Sequence, residues 1–139
     1  MFGIVVVTHG QLAREMVAAA EMIIGELPNI TAVSIGWHVS PEEAEKEIET
    51  AISRVEDGHG TVLLTDMFGG TPTNLSLSLL DKDRVEVVTG VNLPMLIRLA
   101  SLGEDDLSMG LHEVAAQACS QGKESIYLAS DLLASKSGE

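Results

Sequence analysis

Short apolar runs alternate with helix-length segments along most of this 139-residue chain. The first four runs are β-branched and mostly apolar, which is typical of parallel strands buried on both faces. The pattern predicts strands at 3–8, 31–35, 61–66, 85–89 and 125–129. Strands that alternate with helices predict one α/β domain over residues 1–139, with a mainly parallel, flavodoxin-like sheet and helices on both faces.

Two of the intervening segments carry apolar stripes at helical spacing. The first stripe comprises Leu12, Met16, Ala19, Ile23 and Leu27. The second comprises Ala44, Ile48, Ala51, Ile52 and Val55. Ser40-Pro41 and Thr71-Pro72 each join an N-cap residue to a proline suited to the first helical turn, so a helix is predicted to begin at each. Residues 130–139 are expected to form a polar tail.

Composition disfavours several classes of partner. The formal net charge of −13 argues against nucleic acid. No apolar run approaches the roughly 20 residues that cross a bilayer, and no basic leader precedes the first strand, so we expect a cytoplasmic protein without direct membrane insertion. The acidic segment 42–49 is interpreted as a solvated helix face, or alternatively as a surface that attracts a basic protein. The single cysteine, Cys119, is interpreted as structural.

A histidine and an aspartate stand where two of these strands end. His9 follows the first strand directly, and Asp66 closes the third. In the flavodoxin-like strand order these two strands are neighbours, so both side chains are expected at the sheet edge where ligands bind. An aspartate bonded to one imidazole nitrogen fixes the tautomer and leaves the other nitrogen as a nucleophile. The alternative is that Asp66 only caps the following loop.

The residues after Asp66 suit a phosphoryl group. Glycines let backbone N–H groups turn toward one point, and a helix start adds a positive dipole end. The predicted phosphate-binding residues are Gly10, Gly69, Gly70 and Thr71. Met67 and Phe68 are predicted either to form part of a partner-docking rim or to be buried in the core. Because no P-loop and no H-E-x-x-H spacing occurs, neither a metal nor a cofactor is expected.

Three further histidines are considered for the site. His38 follows the second strand at the same edge and is a candidate to border it. His59 lies at the opposite edge, and His112 lies within a helical segment, so both are interpreted as structural or surface residues. A histidine suited to phosphate, without a nucleotide or metal motif, points to a relay of phosphoryl groups between proteins.

At these residues the chain resembles the mannose-family IIA domain of the bacterial phosphoenolpyruvate-dependent sugar phosphotransferase system. The matching segments are VVTHG at 6–10, AEMIIGE at 20–26, TDMFGGTPTN at 65–74 and TGVNLPML at 89–96. The resemblance implies a phosphotransferase in which His9 accepts phosphate from the histidine-containing phosphocarrier protein and passes it to a IIB component for sugar uptake. It also implies that Asp66 orients His9, and that a C-terminal strand, here 125–129, is exchanged in a homodimer.

Other functions remain open at this point. One is a regulatory module of an incomplete phosphotransferase system, which senses phosphorylation without transport. Another is a protein like the tetrapyrrole metal chelatases, which would need a second histidine, such as His38, beside His9. A receiver domain would use Asp66 but needs an acidic pair after the first strand, where this chain has Thr8 and His9. A flavodoxin is disfavoured by the lack of a Ser/Thr-rich phosphate loop and by an aromatic content of 3%.

Overall fold

The computed structural model describes residues 1–36 and 40–136, in which strands and helices alternate as the sequence predicts. The strands are β1 Gly3–His9, β2 Ile30–Ile35, β3 Thr61–Thr65 and β4 Val85–Thr89. The helices are α1 Leu12–Ile24, α2 Pro41–Val55, α3 Gly70–Leu77, α4 Leu93–Ala100, α5 Leu111–Glu124 and α6 Ala129–Lys136, with a short 3-10 helix at Glu104–Ser108. The strands form one parallel sheet in the order β2-β1-β3-β4, which confirms the flavodoxin-like arrangement.

The sheet separates two apolar layers because successive side chains of a strand point to opposite faces. On one face, Ile4 and Val6 of β1 are fully buried beneath α1, α4 and α5. On the other face, Val5 and Val7 are fully buried beneath α2 and α3. Helices therefore cover both faces, as predicted, and leave the carboxyl ends of the strands open for a site.

The apolar stripe predicted on α2 is confirmed, whereas the one predicted on α1 is rotated. Ala13 and Ala20 of α1 are fully buried, but Leu12 and Ile23 are 47% and 58% exposed. The predicted stripe is defined by the larger apolar side chains of this segment. In the structure the alanines of α1 pack against the sheet instead, because small side chains let the helix approach the strands closely.

Helix starts follow the predicted caps at α2 but not at α3. The Ser40 hydroxyl accepts a hydrogen bond of 3.2 Å from the Glu43 N–H, as an N-cap does. At α3 the N-cap is Gly69 and the helix begins at Gly70, so the prediction of Thr71 as the cap is wrong. Two glycines with positive φ turn the chain into the helix before Thr71 is reached.

The predicted fifth strand at 125–129 does not form in this chain. Ser125 ends α5, and its N–H donates to the Gln121 carbonyl at 3.1 Å. The next three side chains, Ile126, Tyr127 and Leu128, are exposed. Helix α6 begins at Ala129, the last residue of the predicted strand, and continues to Lys136 through the segment expected to be a polar tail. A strand needs a neighbouring edge for its hydrogen bonds, and none of the four described strands pairs with this segment. None of the described helices is both long and apolar enough to span a bilayer.

Candidate functional site

The parallel register brings His9 and Asp66 together at the carboxyl edge of the sheet. Val7 of β1 pairs with Thr65 of β3, so the residues that follow these two positions emerge side by side. Oδ2 of Asp66 accepts a hydrogen bond of 3.0 Å from the His9 backbone N–H and another of 2.8 Å from ring Nδ1. A carboxylate only accepts, so Nδ1 donates this hydrogen bond, and in the neutral imidazole Nε2 keeps its lone pair. This is the pairing expected from the sequence.

The electrostatics of the pair favour an ionised aspartate. Burial raises the pKa of Asp66, but hydrogen bonds from the backbone and ring of His9 outweigh it and hold the pKa below its ordinary value. The Asp66 side chain is 12% exposed, whereas that of His9 is 52% exposed. Oδ1 of Asp66 is buried without a hydrogen-bond partner among the described residues. One carboxylate oxygen therefore makes both contacts to His9, one to its backbone N–H and one to its solvent-exposed ring.

Gly70 lies against the unbonded side of the imidazole. A Cβ atom at this position would stand 3.1 Å from Cε1 and 3.2 Å from Nε2 of His9. Both distances are shorter than the optimal separation of about 3.5–4.0 Å between carbon atoms. The φ angle of Gly70 is +81°, which itself favours glycine. Absence of a side chain at Gly70 thus leaves Nε2 accessible from the side of α3.

The other residues predicted to bind phosphate lie at the same edge. Gly10 follows His9 with φ +54°, and Gly69 precedes Gly70 with φ +95°. Thr71 is exposed in the first turn of α3, where backbone N–H groups lack helical partners. Gly70, at the N-terminus of α3, therefore lies beside the exposed imidazole edge, an arrangement that suits an anion.

Met67 and Phe68 are not core residues. Their exposed fractions are 55% and 71%, so the core interpretation is wrong for both. Leu12, at the start of α1, is also exposed, three residues after His9. Apolar side chains therefore flank the site on the α1 side and in the loop after β3.

The remaining histidines lie elsewhere or outside the described residues. His59 packs edge-on against Phe2, and its Nδ1 lies 3.3 Å from the terminal amine. His112 lies 3.3 Å from Glu86 and is 89% exposed. His38, the candidate to border the site, falls outside the described residues. Within the described ranges no three histidine, cysteine or acidic side chains are grouped closely enough to hold a metal ion.

Buried threonines at both strand ends escaped the sequence analysis. The Thr8 hydroxyl accepts a hydrogen bond of 2.7 Å from the Ala13 N–H and so ties the end of β1 to the first turn of α1. Thr65 ends β3 and shares a hydrogen bond with Thr73 of α3. All three are fully buried. In the sequence, a threonine at the end of an apolar strand is indistinguishable from any other β-branched strand residue. Its hydrogen-bonding role is visible only from its contacts in the structure.

Comparisons with known proteins agree on one family. A sequence model described as "PTS system fructose IIA component", where PTS denotes the phosphotransferase system, matches residues 3–119. The mannose-specific EIIAB component from Escherichia coli strain K12 is 36% identical over 129 residues, which cover 88% of this chain and 38% of that protein. The chain thus spans well under half the length of that relative.

A second relative matches nearly end to end. The fructose-specific EIIA component from Bacillus subtilis is 29% identical over 137 residues, covering 93% of this chain and 94% of that protein. The crystal structure of phosphotransferase system component EIIA from Streptococcus agalactiae has a TM-score of 0.82 to this chain at 22% identity, covering 94% and 99% of the two chains. That similarity concerns the fold.

Proposed function

Because this chain belongs to the family of PTS system fructose IIA components, we propose that it relays phosphoryl groups in a sugar phosphotransferase system, with His9 as the residue that carries the group. The observation that supports this proposal best is the double hydrogen bond from His9 to Oδ2 of Asp66. It ties the ring through Nδ1 and leaves Nε2, the nucleophilic nitrogen, beside Gly70.

The proposed transfer step needs no group beyond the two proteins. The Nε2 lone pair of His9 attacks phosphorus as the bond between phosphorus and the histidine of the phosphocarrier protein breaks, and that histidine recovers its electron pair. The imidazole becomes cationic during the attack, and the ionised Asp66 stabilises that charge through Nδ1–H. Backbone N–H groups around Gly69 and Gly70 are proposed to neutralise the phosphoryl oxygens. Transfer to a IIB component is the same displacement with His9 as donor.

Partner contact is proposed at the exposed apolar side chains that flank the site. Met67, Phe68 and Leu12 lie close in sequence to Asp66 or His9 and are exposed. Two proteins that pass a phosphoryl group must exclude water between their histidines, which apolar rims achieve. The acidic first turn of α2, with Glu42 and Glu43, begins after β2 at the same edge and is suited to attract a basic partner.

Phosphorylation of the intact chain tests the proposal directly. The chain is incubated with phosphoenolpyruvate, enzyme I and the phosphocarrier protein, and mass spectrometry counts acid-labile phosphates. We expect one phosphate on the wild type, none on His9→Ala, and one on His112→Ala, which removes an exposed histidine paired with Glu86 instead of Asp66. Labelling of His9→Ala, or loss of labelling in His112→Ala, would refute the assignment. Circular dichroism checks that both variants fold.

A homodimer is proposed on a separate observation. β4 is an edge strand, and a groove of about 470 Å³ lies between it and α5. Phe68, Val87, Ala115 and Cys119 are among its lining residues. The exposed run 126–128 is apolar and extended in sequence pattern, and an exposed strand edge is a template for such a segment. We propose that the run from each subunit pairs with β4 of the other.

Two truncations separate this pairing from other effects of the C-terminus. A chain ending at Ser125 keeps α5 whole but lacks the 126–128 run, whereas a chain ending at Leu128 keeps the run and lacks only α6. Light scattering at micromolar concentration should give a monomer for the first and a dimer for the second and for the full chain. A monomeric full chain, or a dimer that survives truncation at Ser125, would exclude the exchange.

A further inference from the structure

We propose that Thr73 is a positioning residue for the His9–Asp66 pair; this inference rests on the proposed function of that pair. Thr73 lies in α3, is fully buried, and has no contact with His9 or Asp66 among its hydrogen bonds. Its hydroxyl oxygen lies 2.8 Å from that of Thr65 and is also bonded to the carbonyl of Met67. Thr65 and Met67 are the two residues that flank Asp66.

Proton counting gives this network one direction. Each threonine hydroxyl has a single proton, and the Met67 carbonyl can only accept. The Thr73 proton therefore goes to that carbonyl, and Thr65 supplies the proton between the two hydroxyls. The Thr73 hydroxyl thus accepts a hydrogen bond from the residue before Asp66 and donates one to the residue after it. Loss of this buried hydroxyl would leave the buried Thr65 hydroxyl and the Met67 carbonyl without the partner that Thr73 supplies.

Within residues 1–36 and 40–136, backbone hydrogen bonds further anchor the chain next to Asp66 on one side only. The Thr65 carbonyl accepts a hydrogen bond of 2.9 Å from the Val91 N–H, which ties the residue before Asp66 to the segment after β4. On the other side, Met67 and Phe68 are exposed and pack little. The Met67 carbonyl contact to Thr73 therefore restrains the loop as it leaves Asp66. Because Asp66 reaches His9 through one oxygen, a small loop displacement would lengthen both of its hydrogen bonds.

Thr73→Val tests the role, since valine keeps the shape and removes the hydroxyl. We expect phosphoryl transfer to slow on the order of ten- to a hundredfold, as small misplacements of reacting groups do. We also expect nitrogen NMR of the His9 ring to show less of the tautomer protonated at Nδ1. Thr73→Ser, which retains the hydroxyl, should recover most of both signals. In an Asp66→Asn background, Thr73→Val should add little further loss of rate.

The control is Ser76→Ala, which removes another fully buried hydroxyl from α3 whose bond, 2.7 Å to the Pro72 carbonyl, does not reach the loop. It should lower stability without moving the tautomer or the rate. An unchanged tautomer in folded Thr73→Val, or an equal change in Ser76→Ala, overturns the inference. Should Thr73→Val not fold, Thr65→Val must still shift the tautomer. The NMR measurement requires no phosphate, so it separates failure of this inference from failure of His9 as the phosphate carrier.

Discussion

Replacing Gly70 by alanine is expected to impair phosphoryl transfer far more than the same change at Gly69, although both residues have positive φ. Alanine keeps the backbone N–H at either position, so anion binding by the loop is not removed directly. At Gly69, no described residue other than its two chain neighbours lies within 4 Å of the added methyl group. At Gly70 the methyl carbon stands 3.2 Å from Nε2 of His9, the nitrogen proposed to bond phosphorus.

Backbone strain alone would not explain a larger loss of activity in Gly70→Ala than in Gly69→Ala. The φ and ψ of Gly69 are 95° and 169°, a region occupied almost only by glycine. Both residues have positive φ, so the backbone conformation alone is expected to cost each alanine variant on the order of 1–3 kcal/mol of folding free energy. A loss of activity caused by backbone strain alone would therefore be similar for the two variants. Crowding at Nε2 predicts a much larger loss for Gly70→Ala.

The assay compares transfer rates from the phosphocarrier protein at matched folded fraction, which urea unfolding supplies for each variant. We expect Gly70→Ala to lose about a hundredfold or more, equivalent to about 2.7 kcal/mol of transition-state stabilisation. Gly69→Ala should lose less than about tenfold. Equal losses, or a larger loss for Gly69→Ala, would refute the argument that the open space in front of Nε2 is what glycine provides.

Three further predictions concern the same site. Asp66→Asn should slow transfer by on the order of a hundredfold. The amide NH₂ of asparagine would face either the N–H groups of His9 or the buried location of Oδ1, which has no partner among the described residues. An unchanged rate would mean that Asp66 is only a loop cap. Because the pKa of Asp66 is lower in the folded chain, the unfolded chain binds the Asp66 proton more tightly. The ionised carboxylate therefore stabilises the fold fully above the ordinary pKa of 3.8, and this contribution is lost as pH falls through the lower pKa of the folded chain. Urea unfolding between pH 7 and pH 3 should show that the difference in unfolding free energy between wild type and Asp66→Asn becomes smaller. Phe68→Ser should weaken binding of the phosphocarrier protein with little change in melting temperature, whereas Ile23→Ser, at another exposed apolar position near the C-terminal end of α1, should leave binding unchanged. Equal effects on binding would exclude a docking role.

Patterns within the chain were sufficient for the sheet and for the pair at its edge. Continuous β-branched runs predict the four buried strands, and the flavodoxin-like order of a parallel sheet then brings the ends of the first and third strands together. Features set by packing distance were missed. Ala13 and Ala20 face the sheet because they are small, whereas hydrophobicity alone favours Leu12 and Ile23.

Local signals also competed with one another at two places. Thr71-Pro72 has the composition of a helix start, yet the preceding glycines begin the helix earlier. The 126–128 run has the composition of a strand, but composition does not supply a neighbouring edge. Thr73 could not be singled out because its importance comes from the two residues it contacts, and neither is a neighbour in sequence.

The distance along the chain between His9 and Asp66 has a consequence for folding. These residues are 57 positions apart, and their contact requires β3 to pair with β1 across the intervening α1, β2 and α2. Contacts of such long sequence separation form late because loop closure must be completed first. A slip of one residue between β1 and β3 would displace Asp66 by about 3.3 Å and turn its side chain to the other face. Any chemistry that needs both side chains is therefore confined to chains that have completed the sheet in its native register. Nascent and misfolded copies would lack that activity.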